Sequence, residues 1–304
     1  MPRAAGVRPP FPPRVVMQVK ALACELPAES GVPLSRYSTR ELAAEVVRRE
    51  IVAEISGATV WRWLGEDAIR PWRYRSWIFP RDPQFEEKAA RVLDLYQGVW
   101  EERPLTAQDY VLSTDEKTSI QARLRRHPTQ APQPGRALRF EFEYKRGGAL
   151  AYLAAWDVRR AKVFGRCEEK TGIESFNRLV TQVMEQEPYR SARRVFWIMD
   201  NGSSHRGKAC VDRLQKAYPT IVPIHLPVHA SWLNQIEIYF SVLQRKVLTP
   251  NDFDSLDAVA DRLTRFGERY EQTAHPFEWK FTRQDLAKLT DKLNNESAAM
   301  PRAA

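Results

Sequence analysis

Three acidic residues stand where an acid is costly to place. Asp115 closes the apolar run "YVLST", Asp200 closes "VFWIM", and Glu237 lies inside "SWLNQIEIYFSVLQRKVL". In that last segment Leu233, Ile236, Phe240 and Leu243 recur at intervals of 3, 4 and 3, the spacing of a buried helix face. Glu237 falls on or at the edge of that face, where a carboxylate needs a partner or a metal ion. Each acid alone has an ordinary explanation. A strand-end aspartate is commonly a turn former, and an edge glutamate reaches solvent. Together they describe three carboxylates with too few basic residues in their motifs to neutralise them all. Like charges at close range raise one another's pKa, and a divalent cation relieves the conflict. Oxygen ligands of this kind suit Mg²⁺ or Mn²⁺.

Other chemistries fit less well. Ser203, Ser204 and His205 beside Asp200 match a hydrolase triad in composition only. Neighbours in one turn do not line up nucleophile, base and orienter, and no G-x-S-x-G elbow is present. There is no Walker loop, no G-x-G-x-x-G and no Cys/His zinc spacing.

For the acids to meet, the elements bearing them must converge. "QDYVLSTDE", "ALAYLAAWDV" and "AKVFGRCE" read as three strands, the last two forming a hairpin across Arg159–Arg160. "GIESFNRLVTQVMEQE" is an amphipathic helix, "RVFWIMD" a fourth strand, "GKACVDRLQKAY" a helix and "TIVPIHLP" a fifth strand. The segment 231–248 reads as one long helix. The order is mixed α/β, and it suits a ribonuclease-H-like sheet better than uniform βα alternation. If the first and fourth strands are neighbours, Asp115 and Asp200 share one sheet end and the Glu237 helix crosses it.

Ahead of this, "YSTRELAAEVVRREIVAEISGATVWRWLGEDAI" reads as two short helices. Ser38 and Glu41 have the spacing of a capping box, and a second start falls at Ser56. A helix-turn-helix would place Thr59, Trp61, Arg62 and Trp63 on or beside its recognition helix. An ordinary helical hairpin fits the pattern equally. In "RPWRYRSWIFPR", Arg70, Arg73, Arg75 and Arg81 interleave with Trp72, Tyr74 and Trp77. This suits either an arm along a phosphate backbone or a linker packed on the next domain.

The expected organisation is a Pro-rich leader over 1–36, flexible or extended at its start and otherwise a remnant of a first DNA-binding subdomain, then a helix-turn-helix with its basic-aromatic arm over 37–82. A connecting helix follows over 83–107, a catalytic α/β domain over 108–250 and a helical extension over 251–304. A chain of 304 residues with 43 % hydrophobic and 11 % aromatic residues has material for a real core. Its formal charge of +9 favours a polyanionic partner such as nucleic acid. Three widely spaced cysteines form neither a disulfide framework nor a metal pair, which fits a reducing cytoplasm. No apolar stretch approaches the ~18 residues of a membrane span.

The segments "VLSTDEKTSIQA", "IMDNGSSHRGK" and "HASWLNQIEIYFSVLQRKV" resemble the three acidic motifs of DDE transposases. The resemblance is to bacterial insertion-sequence elements related to mariner, the insertion sequence 630 family. The separation of 37 positions from Asp200 to Glu237 matches that family's short second interval. The resemblance implies a ribonuclease-H-like fold behind helix-turn-helix units, with Asp115, Asp200 and Glu237 as catalytic metal ligands for two Mg²⁺ ions that Mn²⁺ can replace. It gives Asn201, His205 and Asn234 supporting roles. It also implies double-stranded DNA as partner, at the element's terminal inverted repeats and at the target, and a homodimer on DNA. Thr59, Arg62, Arg70, Arg73 and Arg75 are the candidate DNA contacts. Family members commonly carry two helix-turn-helix subdomains, and here the first looks missing or truncated. The competing expectations are a catalytically inactive DNA-binding relative acting as a regulator, and a nuclease acting on RNA–DNA hybrids or junctions.

Overall fold

A computed structural model describes residues 11–74, 80–202, 205 and 207–299. The chain forms two compact units, Met1–Ile78 and Phe79–Ala304.

The first unit holds helices α1 (Pro13–Ala23), α2 (Thr39–Arg48) and α3 (Gly57–Glu66). The expected extended leader is corrected here, because residues 13–23 are helical. Proline at the first helical position costs nothing, since that N–H has no partner within a helix anyway. Val19, Leu22 and Ala23 of α1 then join Tyr37, Leu42, Val46, Val60 and Leu64 in one core. The Ser38–Glu41 capping box forms: the Ser38 hydroxyl accepts from the Glu41 N–H at 3.2 Å, and the Glu41 carboxylate accepts from the Ser38 N–H at 2.7 Å. Ser56 caps α3 by accepting from the Thr59 N–H at 3.1 Å. Between these two starts, a Cβ on Gly57 would stand 3.4 Å from the Thr39 carbonyl oxygen. Glycine lets α2 and α3 approach this closely.

The second unit opens with helix α4 (Phe85–Tyr96) and a two-stranded ribbon of β1 (Val99–Trp100) and β2 (Arg103–Pro104). Strands β3 (Asp109–Leu124), β4 (Lys145–Asp157) and β5 (Lys162–Glu168) follow, then helix α5 (Ile173–Met184), strand β6 (Arg194–Met199), helix α6 (Gly207–Ala217) and strand β7 (Ile221–His225). Helices α7 (Ile236–Lys246), α8 (Leu256–Glu271) and α9 (Arg283–Ala299) complete the chain. Strands β3 to β7 form one sheet in the order β5-β4-β3-β6-β7. β3, β4 and β5 pair antiparallel, whereas β3, β6 and β7 pair parallel.

Alternation along the strands gives the sheet two buried faces. Val111, Tyr152, Ala154, Trp156, Phe196 and Ile198 pack with residues of α4, α7 and α8. Leu112, Leu153, Ala155, Val195, Trp197 and Met199 pack on the opposite side with α5 and α6. Burial on both faces explains why β4 and β6 read as unbroken apolar runs. At the strand starts, buried Asp109 joins β3 to β6: Arg194 donates to it from Nε at 2.9 Å and from Nη2 at 3.1 Å.

β3 runs well past the expected end at Glu116. Its pairing with β4 slips between Lys117 and Ile120, and Ser119 takes a φ of 58°. This bulge breaks the period of two, which hid the second half of the strand. Residues 125–144 then form an exposed arm, turned at Pro134–Gly135 with Gly135 at φ 72° and bridged between Gln130 and Arg139.

Candidate active site

The register of β3 against β6 decides where the first two acids lie. The last paired residues are Ser113 and Ile198, and Asp115 and Asp200 each come two positions later. In-step pairing brings both aspartates to the level at which β6 ends, while β3 runs on beside β4. A polar turn carries the chain away from Asp200: its Oδ1 accepts from the Gly202 N–H at 2.8 Å, and the Asn201 amide donates to the Leu226 carbonyl at 2.7 Å.

Glu237 reaches the site by a different route from the one its spacing suggests. The expected helix over 231–248 is divided: Ser231–Leu233 is a 3-10 turn, and α7 starts only at Ile236. Glu237 therefore lies in the first turn of α7 and is exposed, while Ile236, Tyr239, Phe240 and Leu243 are buried. Of the two expected placements, on the buried face or at its edge, the exposed edge is the one found, at a helix start where a carboxylate also suits the positive end of the helix dipole.

Buried Asn234 docks this helix start onto β3. Its amide donates to the Thr114 carbonyl at 3.0 Å and to Asp115 Oδ2 at 3.3 Å, and its carbonyl accepts from the Ser113 hydroxyl. Ser113 Oγ also accepts from the Ile236 N–H at 2.8 Å. From below, the Tyr96 hydroxyl donates to the Leu233 carbonyl at 2.8 Å. Ser113 and Tyr96 carried no signal in the sequence, since a strand serine and a helix tyrosine are common in any core.

The electrostatics follow from this gathering. Burial pushes the Asp115 carboxyl up to about 7, against the Glu116 N–H that stabilises its charge, and the charges of Asp200, Glu237 and Glu116 push the same way. Asp200 moves in the other direction. The hydrogen bond from His205 Nε2 holds it below the usual carboxylate range against partial burial, with help from the Gly202 N–H. Burial disfavours charge on His205, but the Asp200 bond and the charges of Glu116, Asp200 and Asp115 leave its pKa raised. Its other ring nitrogen lies 3.9 Å from Glu116, and its ring packs on Phe176 at 4.9 Å. Glu116 is thus a fourth acid at the site, overlooked because it follows Asp115 directly in a polar run.

Among the described residues no three His, Cys, Asp or Glu side chains stand close enough to enclose a metal ion. The donors nevertheless suit a hard divalent cation. They are carboxylate oxygens, and Asp115 is raised first by burial and then by the charges of the neighbouring acids. Asp115, Asp200 and Glu237 are the residues that would hold it. Ser203 and Ser204 lie outside the described residues.

The candidate DNA contacts belong to the first unit. Arg62, Arg70 and Arg73 are exposed, as is Trp61 at 62 %, whereas Trp63 is half-buried with its ring 5.2 Å from Phe11. Thr59 is half-buried, and its hydroxyl is shared with Ser56 at 3.0 Å. Arg75 lies outside the described residues.

Residues 110–260 match the family model of the DDE superfamily endonuclease, a span that includes all three acids. A comparison with curated protein sequences found no match. Among solved structures, the chain is similar to the Mos1 mariner paired end complex with Mn, at 15 % identity and a TM-score of 0.55, covering 98 % of this chain and 82 % of that one. It is similar to the Mos1 strand transfer complex at 14 % identity and a TM-score of 0.53, covering 97 % and 81 %. The Mos1 paired end complex with Mg gives 13 % identity and a TM-score of 0.52, covering 97 % and 82 %. At such identities the likeness shows the fold, a ribonuclease-H-like sheet of the DDE transposase type.

Proposed function

We propose that this chain is a DNA transposase whose DDE endonuclease domain cleaves phosphodiester bonds at the ends of a mobile element and joins them to target DNA. The observation that carries this is Asp115, raised to about 7 chiefly by burial and further by the charges of Asp200 and Glu237, which lie near enough to act on it. A structural ion-pair network would pair each acid with a base. Here Asp115 is met by amide donors from Asn234 and Glu116 and by further acids. The match of residues 110–260 to the DDE superfamily endonuclease supports the same conclusion.

A divalent cation held by Asp115, Asp200 and Glu237 would supply Lewis-acid stabilisation of charge on the reacting phosphate and its oxygens. The chain's own residues set the stage for it. Asn234 fixes the orientation of Asp115 and the start of α7 together, which sets Glu237 relative to β3. His205 holds Asp200 Oδ1, and Glu116 keeps positive charge on the imidazole favourable. Asn201 ties the turn after Asp200 to the loop after β7. Two ions per site, Mg²⁺ as the natural cation, insertion-sequence ends as substrate and a dimer on DNA extend the same proposal. Thr59, Arg62, Arg70, Arg73 and Arg75 are its DNA contacts.

Nicking of supercoiled plasmid tests the proposal. The parent chain should nick with Mg²⁺ or Mn²⁺ and not with EDTA, and Asp200→Asn should abolish nicking while duplex binding persists. Undiminished nicking by Asp200→Asn would overturn it. DNA binding without nicking by the parent would favour the inactive regulator instead.

A further inference from the structure

Beyond the acids, β3 forms one side of a cavity of about 310 Å³ that the chemistry above does not use. Lys117 and Arg123 line it from β3, Gln244 from α7, Asn251 from the segment after α7, and Arg125 and Phe140 from the arm. None of the residues lining it is Asp or Glu. Of its three cations only Arg125 meets a carboxylate, Asp252 outside the lining, and Lys117 and Arg123 make it a place for an anion.

The three cations differ in their commitments. Arg125 is a structural clasp: its Nε donates to the Glu141 carbonyl at 2.7 Å, and its Nη1 donates to the Asn251 carbonyl and lies 3.5 Å from Asp252. Arg123 is positioned but unspent. Its guanidinium stacks on Tyr144 at 4.8 Å, and its Nε is buried with no hydrogen-bond partner. A buried N–H left so is unfavourable unless an acceptor arrives. Lys117 makes no ion pair among the described residues. The bulge at Thr118–Ser119 falls between the two, and it re-aims side chains that a regular strand would set on fixed faces.

We propose that this cavity binds a backbone phosphate of the DNA strand that enters the acid cluster, with Arg123 and Lys117 as the contacts that fix that strand's register. Lys117 stands two residues past Asp115. Two residues of strand cover ~7 Å, about two base steps at ~3.4 Å each. A strand whose scissile phosphate lies at Asp115 thus places a later phosphate over the cavity. The inference rests on the nuclease proposal and adds to it two positioning residues outside the acid motifs.

The test is duplex binding by the full chain in EDTA, where nothing is cut, using a mixed-sequence duplex oligonucleotide over a salt series. Each lost phosphate contact flattens the slope of log affinity against log salt by about 0.9. Arg123→Gln and Lys117→Gln should each flatten it by that amount, and Arg123→Lys should keep the parental slope. Should Arg123→Gln fail to fold, as its melting curve would show, Lys117→Gln carries the test alone. Parental slopes in the folded glutamine variants would overturn the cavity's role and leave the nuclease proposal standing. Loss in Arg123→Lys equal to that in Arg123→Gln would also overturn it, because shape rather than charge would then matter. A parent chain that binds no duplex would overturn both.

Discussion

The Asn234 side-chain amide lies 3.3 Å from an Asp115 carboxylate oxygen and 3.0 Å from the Thr114 carbonyl. One side chain therefore fixes both the acid on the strand and the start of the helix that bears the third acid. Asn234→Ala should leave the Thr114 carbonyl and the Ser113 hydroxyl short of a partner, at a cost of about 1–3 kcal/mol. We expect a lower melting temperature and loss of nicking together. Asn234→Ala that melts early but nicks at the parental rate would show that the helix start needs no such tether.

Gly202 sits against the contact between His205 and Asp200. A Cβ there would lie 2.8 Å from His205 Nε2 and 2.9 Å from Asp200 Oδ1. Gly202→Ala should therefore push the imidazole and the carboxylate apart while the core stays intact. Nicking should fall on the order of tenfold, the equivalent of ~1.4 kcal/mol in the barrier, with an unchanged far-ultraviolet spectrum.

Divalent cation should stabilise the chain in proportion to its occupancy. Binding to the folded state alone contributes about 2.7 kcal/mol at a hundred times Kd. Adding Mn²⁺ should thus raise the melting temperature of the parent, and the rise should vanish in Asp200→Asn and in Asp115→Asn. An equal rise in all three would place the ion elsewhere.

Acid should find the Asp109–Arg194 pair. Burial alone would raise the Asp109 carboxyl, but Arg194 and the Thr106 donors outweigh it and hold it at about 2. A carboxyl held below its unfolded value adds stability above the unfolded pKa of ~3.9, and this is lost as the pH falls through about 2. The shift is worth ~2 kcal/mol at neutral pH. Asp109→Asn should therefore unfold at lower denaturant at pH 7, and the gap from the parent should close as the pH approaches 2.

Duplex binding should report on the first unit as well. Replacing Arg70 and Arg73 by Ala should flatten the salt slope by ~1.8 if both meet phosphates. An unchanged slope would make this segment a packing linker.

The parts of the fold that were legible in the sequence are those whose determinants are local. Apolar runs ending at Asp115 and Asp200 marked two strands, and the mixed strand order placed them side by side. The capping box at Ser38 declared a helix start because its two bonds are three residues apart. The start of α7 was not legible, since Asn234 is held by residues 119 to 121 positions away on β3. Periodicity through Leu233 therefore suggested a longer helix with Glu237 on or at the edge of its buried face. α1 was hidden by prolines that are tolerated at its first turn, and the far half of β3 by its bulge. The contact of Glu116 with His205 joins residues 89 positions apart and left no pattern to find.

β3 lies at the centre of the sheet, yet its two neighbours come from very different distances along the chain. β4 follows it after the 125–144 arm and β5 by a short hairpin, whereas β6 arrives after a helical crossover and α7 later still. Closing such long loops is the slow part of building a sheet. On the ribosome, the antiparallel half can therefore form before the residues that complete the acid cluster have been made. A nascent or truncated polypeptide that stops short of α7 has a partial sheet but lacks the third acid, so synthesis itself sets the moment at which the three carboxylates can first stand in one folded chain.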